Sequence, residues 1–103
     1  MPNCVFCKKL PKILENDLAY AVYDINPIAK GHMVFVTKRH HGTLFESTPQ
    51  EIQAVFDLIS QAKRSLDREH KPGGYNLQAN CGKSAGQIVM HAHIHLIPRY
   101  AEI

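Results

Sequence analysis

His91, His93 and His95 alternate with Ala92, Ile94 and Leu96. A strand sends successive side chains to opposite faces, so the three imidazoles share one face and the apolar residues the other. Neighbouring rings on that face stand roughly 6.5–7 Å apart, within reach of one phosphate or one metal ion. Imidazole accepts, donates or attacks near neutral pH. As core filler three such rings are costly, because each buried ring nitrogen demands a partner. The polar face of a half-exposed strand explains a single histidine more readily than three in alternation.

Cys4-Val5-Phe6-Cys7 forms a second constellation, at the spacing where two thiolates grip one metal. Two further ligands are required and none follows locally, which leaves His40, His41 and the histidine strand as candidates. A thioredoxin-like use of the pair would need a βα unit around it, and the flanking pattern has none. Metal binding there would tie the N-terminal segment to the rest and stabilise a small domain.

The 103 residues suit one domain, residues 1–103, with an ordinary apolar share of 45%. No segment is apolar for long enough to cross a membrane, and none after Met1 has the pattern of a signal peptide. Three cysteines make an odd count that suits a reducing, cytoplasmic setting better than a disulfide framework. A net charge of +3 without a basic block argues against nucleic acid and is compatible with a small anionic substrate.

The elements that must position these groups follow from local patterns. Residues 18–24 alternate as a strand, Asn26-Pro27 marks a turn ended by Gly31, and residues 32–38 read as an antiparallel neighbour. Thr48, Pro49 and Glu51 then form a capping box with proline at the first helical position. Ile52, Val55, Phe56, Ile59, Ala62 and Leu66 follow as one apolar stripe, predicting a helix to about His70, where Lys71-Pro72-Gly73-Gly74 breaks it. Residues 75–80 alternate again before the histidine strand. The order implies an α+β domain, an antiparallel sheet with one long helix across it.

Gly86-Gln87-Ile88-Val89-Met90-His91-Ala92-His93-Ile94-His95-Leu96-Ile97-Pro98-Arg99 resembles the signature of the histidine triad (HIT) nucleotide hydrolases and transferases. Asp24-Ile25-Asn26-Pro27, Gly31-His32, Lys38-Arg39-His40 and Asn80-Cys81-Gly82 support the resemblance, in order along the chain. Members with an N-terminal CxxC are bacterial-type. The resemblance implies that His93 is a nucleophile attacking the α-phosphorus of a nucleotide conjugate. It assigns His95 to the phosphate and leaving group, and Asn80 to a phosphate oxygen. Backbone donors of Gly86, Gln87, Ile88 and Val89 would face the same phosphate, Asp24 would take both ribose hydroxyls, and Phe6, Val22 and Ile25 would wall the base. Structural zinc would sit on Cys4, Cys7, His40 and His91, with His41 the alternative to His40. A purine nucleotide conjugate and a homodimer complete what the resemblance implies.

The chain departs from the family pattern at Ile88, commonly Ser or Thr in several branches, which bears on the leaving group and not on the nucleophile. It is also compact between Cys7 and Leu18, next to the wall of the base. His32 reads as structural or interface-forming, and Cys81 as a small buried residue. The expected function is a nucleotidyl hydrolase. The alternatives are a nucleotide-binding or scaffold protein with little turnover, and a metalloenzyme in which the triad itself holds a catalytic metal.

Overall fold

A computed structural model of the chain describes residues 4–100. Its strands are β1 (Leu14–Glu15), β2 (Ala19–Tyr23), β3 (Met33–Thr37), β4 (Gly74–Gln78) and β5 (His93–Arg99), and its long helix is α1 (Pro49–Glu69). The strands make one antiparallel sheet in the order β1-β2-β3-β5-β4. The expected α+β architecture is therefore present, with one strand more than the sequence suggested. The two-residue β1 is too short to carry an alternation of its own and exists through its pairing with β2.

Period two divides the sheet. In the β2–β3 hairpin Val22 pairs with Val34 and Tyr20 with Val36; across β3–β5, Val36 pairs with His93 and Val34 with His95. These six residues share one face. The opposite face presents Ala19, Ala21, Met33, Phe35, Ile94 and Leu96, which form the main core with the helix. Gly31 closes the hairpin loop at φ +88°, and a Cβ there would lie 2.7 Å from Leu66 Cδ2, so only glycine lets this turn press onto the helix.

The helix starts as expected. Thr48 Oγ1 accepts from the Glu51 amide at 3.1 Å, and Glu51 Oε1 accepts from the Thr48 amide at 2.8 Å. It ends at His70, whose amide donates to the Leu66 carbonyl. The buried face is a correction to the expected stripe: it runs through Glu51, Ala54, Val55, Leu58, Ile59, Ala62 and Leu66. Leu58 is fully enclosed while Phe56 stays 42% exposed. At 3.6 residues per turn, the line from Val55 to Ala62 passes through Leu58 and Ile59 and leaves Phe56 on the flank. Full burial of a leucine such as Leu58 contributes roughly 1.5–3 kcal/mol.

The histidine strand also begins later than expected, at His93. His91 and Ala92 form an irregular lead-in, where the Ala92 amide donates to the His41 carbonyl and the Thr37 amide to that of Ala92. This break from regular pairing lets the His91 ring turn toward the N-terminal cysteines.

Candidate functional site

Each histidine of the triad meets a backbone or side-chain group that fixes its tautomer. His93 Nδ1 lies 2.6 Å from the main-chain carbonyl of His91. A carbonyl only accepts, so Nδ1 carries the proton and Nε2 keeps a free lone pair. His91 Nε2 lies 2.7 Å from the Thr37 carbonyl, which by the same reasoning leaves its Nδ1 unprotonated. The third case runs through His32. The Ile28 amide donates to His32 Nδ1 at 3.1 Å, so the proton sits on His32 Nε2, 2.9 Å from His95 Nδ1. His95 Nδ1 therefore accepts, and its Nε2 carries a proton toward the site.

His32, which the sequence suggests is structural or interface-forming, lies against His95 in the site. It is 2% exposed. A period-two signal was available: His32 precedes Val34 by two residues, and Val34 is the register partner of His95. Asp24 completes the group, with Oδ2 3.5 Å from both His32 Nε2 and His95 Nδ1. Its Oδ1 accepts from the Asn26 amide at 2.8 Å, which fixes the carboxylate in the loop. Burial pushes the His95 imidazole below its ordinary value of 6.5, helped by the neighbouring His93 and His32 and opposed by Asp24. His32 and His91 are lowered as well, chiefly by burial.

The cysteine pair brackets a single 3₁₀ turn, Val5–Cys7, with Cys4 as its N-cap and Cys7 its last residue. Cys4 Sγ is 3.2 Å from His91 Nδ1, Cys7 Sγ is 3.2 Å from His40 Nδ1, and the two Nδ1 atoms are 3.1 Å apart. All four donor atoms lie within 4.8 Å of one another. The unprotonated His91 Nδ1, facing two sulfurs and another imidazole nitrogen, is what a cation at the centre would hold together, and the donor set suits tetrahedral zinc. Of the two neighbouring histidines, His40 lies in the cluster, whereas His41 turns away to Ser47 Oγ at 2.7 Å.

A cavity of about 880 Å³ opens over the histidine face. Phe6, Val22, Asp24, Ile25, Asn80, Gly86, Gln87, Ile88, Val89, His93 and His95 all line it, so the nucleotide-site residues singled out from sequence come together around one cavity. Val22 and Val34 in its lining belong to the apolar cluster of Tyr20, Val22, Val34 and Val36, against which Phe6 and Leu10 pack.

The loop over the cavity differs in detail from expectation. The Gly86 and Gln87 amides donate inward, to the carbonyls of Lys83 and Gly82. Among the described residues no carbonyl accepts from Ile88 or Val89, so both amides are available as donors. The Gln87 side chain is structural: its Oε1 accepts from the Gly82 amide and its Nε2 donates to the Gly42 and Val89 carbonyls. Gly86 sits at φ +89°, and a Cβ there would meet Asn80 Nδ2 at 3.4 Å. Asn80 Nδ2 donates to the Gly86 carbonyl at 3.3 Å, a bond weak enough to exchange for a ligand oxygen.

The HIT domain model matches residues 8–102. An adenylylsulfatase of Arabidopsis thaliana is 33% identical over 103 residues, covering 94% of this chain and 52% of the relative. The chain thus spans about half the length of that protein. An adenosine 5′-monophosphoramidase of Saccharomyces cerevisiae is 39% identical over 105 residues, covering 96% of this chain and 64% of the relative. The crystal structure of a HIT family protein from Bacillus anthracis superposes with a TM-score of 0.89 at 36% identity, over 97% of this chain and 75% of that one.

Proposed function

The chain belongs to the HIT domain family, and we propose that it is a nucleotidyl hydrolase that cleaves purine nucleotide conjugates through a covalent bond to His93. The observation that carries this reading is the 2.6 Å contact from His93 Nδ1 to the His91 carbonyl, which frees Nε2 for attack beside a nucleotide-sized cavity. In the first step His93 Nε2 bonds to the α-phosphorus as the bond to the leaving group breaks. His95 Nε2–H hydrogen-bonds to the leaving group, which takes its proton from solvent. In the second step water attacks the phosphorus and its proton passes to solvent. The nitrogen–phosphorus bond breaks and the nucleoside monophosphate leaves.

The remaining residues bind and orient. The Ile88 and Val89 amides and Asn80 hold phosphate oxygens, Asp24 holds the ribose hydroxyls, and Phe6, Val22 and Ile25 wall the base. Cys4, Cys7, His40 and His91 would hold structural zinc, which would anchor the N-terminal turn. We read residues 1–103 as a single domain. Its three free cysteines favour a reducing cytoplasm. β4 has a free edge and Leu77 and Phe56 are exposed, which favours pairing of two copies there.

Ile88, 93% exposed at the cavity, brings no hydroxyl to the leaving group and favours a second reading, a nucleotide-binding protein with little turnover. Release of AMP from adenosine 5′-phosphoramidate separates the two. Turnover by the wild type that vanishes in His93→Ala supports the hydrolase. AMP binding without release from any conjugate supports the binding protein.

A further inference from the structure

We propose that Phe6 is a positioning residue for the nucleophile, and that the Cys4/Cys7/His40/His91 cluster sets its place. The proposal rests on the reading of His93 as the nucleophile. Phe6 lies between the two cysteines in one short turn, where the Cys7 amide donates to the Cys4 carbonyl. Its ring centroid is 5.1 Å from that of His93 at an interplanar angle of 54°, and 6.0 Å from that of His91 at 84°. Its carbonyl accepts from the Tyr20 hydroxyl, which pins the turn to the sheet.

A single hydrogen bond holds one corner of the His93 ring, at Nδ1. A bond at one corner leaves the ring free to swing, and the free Nε2 moves most. Phe6 blocks that swing by packing against the ring. The His95 ring also packs against His93, at 5.3 Å between centroids. Two of the restraints on His93 nevertheless come from the cluster: the carbonyl belongs to His91, a donor in it, and the Phe6 ring stands between its two cysteines. Loosening the cluster frees Phe6, and Phe6 frees Nε2. A misplacement of about 1 Å at a reacting atom can cost up to about a hundredfold in rate.

The test compares wild type, Phe6→Leu and Phe6→Tyr for kcat and KM on adenosine 5′-phosphoramidate, zinc content, and the ring-nitrogen resonances of His93. Phe6→Leu keeps an apolar wall and should hold zinc as the wild type does. Its kcat should fall on the order of tenfold with KM within about twofold, and its His93 resonances should move. Phe6→Tyr, which keeps the ring, should recover most of the kcat that Phe6→Leu loses. Stripping zinc from the wild type should move the same resonances, and stripping it from Phe6→Leu should move them little further. A raised KM with unchanged kcat, or His93 resonances unmoved by either change, would overturn the proposal. Absence of AMP release by the wild type would instead contradict the hydrolase reading, and the resonances would still decide whether Phe6 restrains His93.

Discussion

His32 Nε2 stands 2.9 Å from His95 Nδ1, while the Ile28 amide donates to the other nitrogen of the His32 ring. One backbone N–H thus sets two tautomers in series and leaves a proton on the outward nitrogen of His95. His32→Ala should lower kcat by about ten- to a hundredfold with zinc content unchanged, a loss of the size expected when a donor at the reacting centre is misplaced. His32→Gln, whose amide can donate to His95 Nδ1, should recover part of it. Steady-state kinetics of the two variants checks this.

The pH dependence has a defined direction. Burial holds His95 below the ordinary 6.5, so it remains mainly neutral at pH 7 and becomes charged only on further acidification. Its contribution to the acid limb of kcat/KM should therefore lie below 6.5. Asp24 is the group that raises the His95 value, so Asp24→Asn should move that limb lower still, besides weakening nucleotide binding. A pH–rate profile of wild type and variant measures both.

Removal of the zinc proposed at Cys4, Cys7, His40 and His91 should loosen the fold. Cys7→Ser, or chelation of the wild type, should reduce stability by roughly 3–4 kcal/mol, the contribution of a ligand present at several hundred to a thousand times its Kd. Urea denaturation with and without added zinc checks the magnitude. Equal midpoints would remove zinc from the account.

Glu51 joins two parts of the helix start. It closes the capping box and accepts two hydrogen bonds from Arg39, at 3.0 and 2.9 Å. The Arg39 guanidinium lowers its carboxyl from 4.5 to about 2. The folded value lies below the unfolded one, so the contribution is complete above about pH 4.5 and fades as the pH falls toward about 2. Glu51→Gln should cost on the order of 2 kcal/mol at pH 7, allowing for the half-exposed Arg39, and much less near pH 2. Denaturation midpoints across that range test it.

What the sequence made legible was local chemistry. Thr48, Pro49 and Glu51 define the helix start within four residues, and the alternation of His93 with Ile94 and His95 defines a strand face. What it hid depends on register. His32 and His95 lie 63 positions apart and meet only because β3 pairs with β5. His40 and His41 are adjacent, and the path of the chain after β3 decides which reaches the cysteines. Leu58 and Phe56 are both large and apolar, and the face that the helix turns to the sheet decides which is buried. The inward turn of the Gly86 and Gln87 amides follows from the closure of the 82–89 loop around Gln87, a side chain whose three partners no motif reveals.

The most direct test of the account is to trap the covalent intermediate. Wild-type protein turning over adenosine 5′-phosphoramidate is quenched in alkali, which preserves a phosphorus–imidazole bond, and its peptides are mapped by mass. The account predicts adenylyl on the peptide containing His93, assigned to that residue by fragmentation and absent from His93→Ala. Continued release of AMP by His93→Ala, or turnover with adenylyl on another residue, would contradict it.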